Sequence, residues 1–395
     1  MKKMTRFLSY VLVALLSSML TLALIPGNTG NTDAVSKLDQ LSDLIQERFI
    51  GTVDVTAMED AAATAMVGAL DDRWSYYISA ADYGSYLDQM KNTYVGIGIT
   101  ITVREDGKGY DVKTVSKGGP AEKAGVLTGD ILIGAGGQRF ENIIDTQPAQ
   151  VIRGEAGTFV EVTVLRNGAE MTFNVERQVI KTLAAEGEVL PGKVGLVTIT
   201  NFHSGSADEM IAAVEDLMAQ DAQALLFDVR NNPGGYVSEL VKALDYLLPE
   251  GLLFRSVDYR GNETREESGE SHVDLPMAVL VNGESYSAAE FFAAAIREYG
   301  MGFVAGTQTC GKGYFQTTIP LNDGSAVGLS VGKYYTPQGV SLAEVGGLTP
   351  DLVVEVDAEV FNAIYAGMLE PMEDPQIKAA WENLLGVDPA GNEAN

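Results

Sequence analysis

Apolar positions along this chain keep three different rhythms. From Ala34 to about Met90 they recur at helical spacing, with Leu38, Leu41, Leu44 and Ile45 on one face and a second helix predicted over Ala57–Leu70. From about Asn92 to Ile180 the pattern turns β-like. The runs GIGITITV, YDVKTV, DILIGAG, VEVTVLR and MTFNVER are separated by Gly-containing turns, with GPAEKAG and DTQPAQVIRG as helical candidates. No helix–strand repeat occurs there, which predicts a small, partly open β-barrel. From Lys193 strands and helices alternate: KVGLVTI, a helix from Ser206, ALLFDVR, VSELVKALDYLL, MAVLVN and SAAEFFAAAIREYG. Such alternation predicts parallel βαβ units. Ser206 and Glu209 have capping-box spacing, and Met210, Val214, Leu217 and Met218 form the predicted buried face of that helix. AVGLSVGKYY and DLVVEV read as further strands, and the tail from about Ala358 as one or two helices.

The first residues differ in kind. Lys2, Lys3 and Arg6 precede an uncharged run from Phe7 to Ile25, closed by Pro26 and Gly27. This reads as an export signal, long enough for one membrane span, and a retained anchor is favoured over cleavage. The expected location is therefore extracytoplasmic, anchored to the cell membrane or secreted. A formal charge of −27 over 395 residues argues against a nucleic-acid partner, which needs clustered Lys and Arg. The single cysteine, Cys310, leaves no intramolecular disulfide and reads as a small packed hydrophobe. No His/Cys cluster has metal-ligand spacing, so neither metal nor cofactor is expected.

Three segments carry candidate chemistry. In VNGESYSAAEFF, Ser287 falls where a strand turns into a helix, a position that aims backbone N–H groups at it. In DVRNNPGGYV, Gly234 and Gly235 allow a tight turn that could bring a second N–H donor to an oxyanion, beside that of Ala288. In GTQTCGKGYFQ, Lys312 stands between glycines 25 residues after Ser287, with Gln316 further on. A serine hydroxyl needs a neighbour to take its proton. With only His203 and His272 available, a buried lysine of lowered pKa is the alternative base. Taken singly, each segment also reads as an ordinary cap or Gly turn.

Jointly, in this order and spacing, they resemble the C-terminal processing peptidases, or tail-specific proteases. The stretch Ser285-Tyr286-Ser287-Ala288-Ala289-Glu290 is similar to that family's serine segment, and its middle serine matches the nucleophile. Lys312 matches the general base and Gln316 the third member. YYTPQG (334–339) and GGLTPD (346–351) also look like family segments. The β-rich unit resembles a PDZ domain, in which Val95, Gly96, Ile97, Gly98 and Ile99 would form the loop that captures a C-terminal carboxylate. Arg153 would link tail binding to the active site. Tyr286, Ala289 and Cys310 depart from the family pattern.

The resemblance implies an α/β and β multidomain protein: a PDZ domain ahead of an α/β, crotonase-like serine peptidase core, with helices at both ends. The expected organisation is signal or anchor and linker 1–33, helical region 34–91, PDZ domain 92–180, peptidase core 181–357 and helical tail 358–395. The implied activity is a serine endopeptidase with a Ser287–Lys312 dyad assisted by Gln316, acting on proteins with apolar C-terminal tails. A homodimer is expected, with membrane contact through the N-terminal segment. The competing expectation is a catalytically silent PDZ-based tether.

Overall fold

The computed structural model of the protein describes residues 36–104, 106–140, 148–365 and 368–386. The backbone divides into two units, 1–65 and 66–395. The expected signal or anchor, 1–33, lies outside the described residues. Among those described, no helix is long and apolar enough to cross a membrane.

In the first unit, α1 (Lys37–Arg48) starts at a reciprocal cap. Ser36 Oγ accepts the Asp39 N–H at 3.1 Å and Asp39 Oδ2 accepts the Ser36 N–H at 3.3 Å, so two first-turn donors are satisfied locally. Its apolar stripe of Leu38, Leu41 and Leu44 is exposed. α2 (Val55–Gly68) runs past the unit's boundary and buries no side chain.

The larger unit begins with β1 (Tyr76–Ile78), α3 (Ala80–Gln89) and β2 (Thr93–Gly96). Next come β3 (Ile99–Val103), β4 (Tyr110–Val115), α4 (Pro120–Ala124), β5 (Ile131–Ala135), β6 (Gln138–Arg139), α5 (Pro148–Ile152), β7 (Phe159–Arg166) and β8 (Ala169–Glu176). They form an antiparallel sheet in the order β3-β4-β5-β7-β8, with β6 beside β5. Alternation along β7 sends Val160, Val162 and Val164 into a core shared with Ile97, Leu132, Phe140 and Val175. Among the described residues β3 is the edge of this sheet, with β4 on its other side. β9 (Gln178–Lys181) returns beside β2, so one two-stranded ribbon carries the chain into and out of this sheet.

The rest is α/β. Its elements are β10 (Ala185–Leu190), β11 (Val194–Ile199), α6 (Ser206–Ala219), β12 (Ala224–Asp228), α7 (Val237–Leu247), β13 (Gly251–Asp258), β14 (Glu263–Ser268), β15 (Met277–Val281), α8 (Ala288–Glu298), β16 (Gly302–Gly306), β17 (Tyr314–Pro320), β18 (Ala326–Tyr335), α9 (Leu342–Val345), β19 (Leu352–Val353), α10 (Ala358–Tyr365) and α11 (Pro375–Leu384). A six-stranded sheet has the order β10-β11-β12-β15-β16-β19, parallel except at β10. Residues of α6, α7 and α8 form the core on one face, and α11 packs on the other. Burial from both sides explains why β12 and β15 are apolar without alternation up to Asp228. A second sheet, β1-β18-β13-β14 with β17 on β18, includes the β13–β14 hairpin that periodicity alone had not disclosed.

Three local expectations are corrected. Gly205, in the left-handed region at φ 86°, is the N-cap of α6, and Ser206 lies inside the helix, its buried hydroxyl without a hydrogen-bond partner among the described residues. Glu209 instead accepts the Ala184 N–H at 2.6 Å, holding the strand that enters the α/β part. Met218 is exposed, because one residue beyond Leu217 is about 100° round the helix. The strand expected over DLVVEV is only Leu352–Val353.

Candidate active site

Ser287 owes its position to a buried strand and a forced turn. β15 delivers the chain to Asn282, and the turn that follows is held from inside. Ser285 Oγ donates to Val229 O at 2.7 Å and accepts the Asn282 N–H at 3.0 Å. Of the two serines, Ser285 is thus a structural brace. Ser287, the residue before α8, has φ 58° and ψ −125°, a conformation costly for any residue but glycine. What holds it there is Glu290, one turn into α8 and fully buried, whose Oε2 accepts the Ser287 N–H at 2.9 Å. The Ala288 N–H, at the first position of the helix, has no acceptor among the described residues.

The glycine turn after β12 lies against this serine. A Cβ on Gly234 would fall 2.8 Å from Ser287 Cβ, and one on Gly235 would fall 2.2 Å from the Phe202 carbonyl, so only glycine allows both approaches. Asparagines fix the turn. Asn232 O accepts the Tyr286 N–H at 3.1 Å, Asn232 Oδ1 accepts the Gly234 N–H at 2.8 Å, the Asn231 backbone N–H donates to Asn282 Oδ1 at 3.0 Å, and Asn282 Nδ2 donates to Asn231 Oδ1 at 2.8 Å. The Gly234 N–H, expected as a candidate oxyanion donor, is therefore already used. That of Gly235 has no acceptor among the described residues. Beside Ser287 and Ala288 opens a small cavity of about 10 Å³, walled by Gly235, Val237, Leu240, Phe254, Phe291 and Tyr334.

Lys312 lies in the β16–β17 loop, and Glu290 reaches that loop too. Its Oε2 accepts the Lys312 N–H at 2.8 Å, while Oε1 accepts the Gly311 N–H at 2.7 Å and the Thr309 hydroxyl at 2.5 Å. The flanking glycines allow close packing: a Cβ on Gly313 would meet Ala343 N at 2.7 Å, and one on Gly311 would meet Gly347 N at 2.9 Å. Lys312 Nζ stands 4.8 Å from the Trp74 ring centroid and 5.6 Å from that of Tyr286. Burial pushes its pKa below the ordinary lysine value; Cys310, Glu290 and Asp72 oppose the shift and Arg73 adds to it. Arg73 itself donates to Cys310 Sγ at 2.7 Å.

Other predicted residues fall elsewhere. Gln316 donates through Nε2 to Ser330 Oγ at 3.0 Å and makes no hydrogen bond to Lys312. The β17–β18 ladder shifts register between Phe315 and Gln316, and such a bulge re-aims the side chains beside it. His203 is buried, its Nδ1 3.0 Å from Gln89 O, and burial lowers its pKa; His272 is exposed. Neither histidine hydrogen-bonds Ser287. Among the described residues no group of three or more His, Cys, Asp or Glu could hold a metal ion.

In the β3–β8 sheet, Ile97 is buried, Gly98 has φ 75°, and Ala121 and Ser116 donate to the carbonyls of Ile97 and Gly98. The N–H groups of Ile97 and Gly98 have no acceptor among the described residues, and Val95 and Ile99 flank them next to the edge of β3. Arg153 lies 5.8 Å over the Tyr94 ring. A cavity of about 1080 Å³ runs from Tyr94, Val95 and Arg153 along α3 to Pro233, next to the glycine turn.

Residues 193–354 match Peptidase family S41, and residues 95–176 match the PDZ domain. The chain is similar to the C-terminal processing peptidases. It is 28% identical over 361 residues to a carboxy-terminal-processing protease of Bartonella bacilliformis, covering 88% of this chain and 80% of that protein. It is 29% identical over 368 residues to the carboxy-terminal processing protease CtpA of Bacillus subtilis, covering 90% and 78%. A solved Bacteroides fragilis protein described as an S41 protease shares the fold, with TM-score 0.56 at 15% identity, over 88% of this chain and 97% of that one. The protein is therefore a serine-type peptidase with protein substrates, built as a PDZ domain followed by an S41 peptidase domain.

Sequence reasoning had missed Glu290 as the group joining the two loops. Its signal was present in the spacing Ser287-x-x-Glu290, which pairs an N-cap with the third helical residue. The positions of Trp74 and Asn232 had no comparable signal.

Proposed function

We propose that this peptidase cuts with a Ser287–Lys312 dyad and selects substrates by their C-terminal tails. The observation that carries the reading is the Glu290 carboxylate, which binds the backbone on both sides of the dyad at once. Lys312, in the neutral form that burial favours, moves from the Trp74 and Tyr286 rings to take the Ser287 proton as Oγ attacks the scissile carbonyl. The Gly235 and Ala288 N–H groups steady the oxyanion. Lys312 then returns the proton to the leaving amine, and water releases the acyl-enzyme by the same proton route. Gln316 orients Lys312 only if its amide turns away from Ser330.

Substrate enters at the PDZ loop, where the free N–H groups of Ile97 and Gly98 take the terminal carboxylate and the edge of β3 takes the tail as an added strand. The cavity past Arg153 leads toward the glycine turn, and Arg153 gates it. The uncharged run from Phe7 to Ile25 supports an extracytoplasmic location, with the enzyme anchored to the membrane or secreted. The exposed leucine stripe of α1 suits a second copy of the chain.

The test uses the purified full-length protein, its Ser287→Ala and Lys312→Ala variants, and an unstructured protein ending in apolar residues, with the cuts located by mass spectrometry. Cleavage by the parent alone, lost when the tail is amidated, is the expected result. Cleavage by both variants overturns the dyad.

A further inference from the structure

The glycine turn is anchored by a buried ionic hub that reaches the far end of the chain. Arg230, three residues before Pro233, turns its side chain away from Ser287 toward the α11 face of the sheet. Its Nε donates to Asp228 Oδ1 at 2.9 Å, and its Nη2 lies 2.6 Å from Asp228 Oδ2 and 2.8 Å from Asp374 Oδ2. Its Nη1 donates to Gln376 Oε1 at 2.9 Å. Arg230, Asp374 and Gln376 are each more than nine-tenths buried. Asp374 is the N-cap of α11, accepting the N–H groups of Gln376 and Ile377, and Gln376 Nε2 donates to Val354 O.

We infer that Arg230 is a positioning residue through which docking of α11 holds the Gly234–Gly235 turn against Ser287. Every nitrogen of the guanidinium is used, so side-chain and backbone placement are fixed together. The Arg230 backbone leads within two residues to Asn232, which holds both the Gly234 and the Tyr286 N–H. Two carboxylates and an amide, two of the three from the C-terminal segment, thus set the register of a turn whose donor must meet the oxyanion to within tenths of an ångström. Asp228 supplies only a local pair; Asp374 and Gln376 make that turn depend on residues over 140 positions away. A lysine at 230 would keep the charge but lose the fork that reaches all three partners.

The inference rests on the Ser287 and oxyanion roles proposed above, and the test separates the two. A fluorophosphonate reacts with an activated serine as Oγ bonds to phosphorus, its proton passes to the base Lys312 and fluoride leaves, and its phosphoryl oxygen needs the same N–H donors as the oxyanion. Full-length parent, Asp374→Asn, Gln376→Leu and the control Ile377→Ala are labelled, and rates are read by intact mass. Thermal unfolding and binding of a free-carboxylate tail peptide are measured alongside. Asp374→Asn and Gln376→Leu are expected to label at least tenfold more slowly, with tail affinity within twofold of the parent. Ile377→Ala removes apolar packing under α11 while leaving the Asp374 and Gln376 contacts to Arg230 in place, and is expected to label close to the parental rate. Should Asp374→Asn fail to fold, Gln376→Leu, which keeps both carboxylates on Arg230, carries the comparison. Parental labelling rates in both hub variants, or equal slowing in Ile377→Ala, overturn the inference alone. A parent that is not labelled at Ser287 overturns the dyad reading and this inference with it.

Discussion

The backbone N–H groups of Ser287 and Lys312 converge on one oxygen, Glu290 Oε2, at 2.9 and 2.8 Å. Two loops from different strand ends are thereby set by a single buried carboxylate, whose other oxygen takes two more donors. Four hydrogen-bond donors thus replace the water that this buried carboxylate gave up on folding.

Glu290→Ala should therefore damage fold and activity together. It leaves three N–H groups and a hydroxyl in a buried space without their acceptor, and each orphan costs roughly 1–3 kcal/mol. A loss of at least about 3 kcal/mol in denaturant unfolding is expected, with fluorophosphonate labelling of Ser287 abolished. Full labelling in a stable variant would mean that the two loops hold their positions unaided.

The pH dependence follows from Lys312. Its folded-state pKa lies below the unfolded value of 10.5, with burial as the first cause. With the neutral amine as the proposed base, the labelling rate should rise with pH and level off below 10.5. For stability, the folded protein binds fewer protons than the unfolded chain between the two pKa values. Burial of the ammonium therefore penalises the fold below the folded pKa, and the penalty is relieved as pH rises toward the unfolded value. Lys312→Met removes this contribution. Its stability advantage over the parent should shrink steadily as urea titrations move from neutral to alkaline pH, and a constant difference would contradict the shift.

Much of this was legible in the sequence because the signals were local. Periodicity found the βαβ strands, since buried parallel strands read as unbroken apolar runs, and it found α8 from its cap to Gly300. The three loop motifs lay at strand ends where glycines mark close approach. The rest depended on contacts far apart in sequence. Gln316 was read from spacing and from the family resemblance, whereas a bulge in a ladder with β18 decides where its amide points. Gly234 looked equivalent to Gly235 until Asn232 was seen to take its N–H. Capping-box spacing was present at both Ser206 and Ser287. Only at the second does the glutamate bond to the backbone at its own helix start, because at the first a neighbouring strand offers Glu209 another donor.

With Ser287 as the proposed nucleophile, the cavity beside it is where the side chain preceding the cut would fit. About 10 Å³ between Leu240, Phe254, Phe291 and Tyr334 leaves space for little more than a methyl group. Cleavage should follow Ala or similarly small residues. Leu240→Ala opens one wall, at a stability cost of about 2–5 kcal/mol. It should raise kcat/KM for substrates with Leu or Met at that position at least tenfold relative to Ala. An unchanged ranking of the three would place the specificity pocket elsewhere.

Gly98 offers a way to separate tail capture from chemistry. Its φ of 75° suits glycine, and a Cβ there would sit 3.1 Å from Ser116 Cβ and Oγ. Gly98→Val adds a β-branched side chain that this conformation excludes, so the loop must shift and its free N–H groups turn with it. Ser287 and its cavity share no element with that loop, and fluorophosphonate labelling should stay within twofold of the parent. The KM for a protein substrate should rise at least tenfold at little change in kcat. Amidating the substrate tail should produce the same rise in the parent and no further rise in Gly98→Val, because both remove one contact, carboxylate to loop. Additive losses would mean that the carboxylate is held elsewhere, and equal cleavage of amidated and free tails by the parent would leave the loop without a part in recognition.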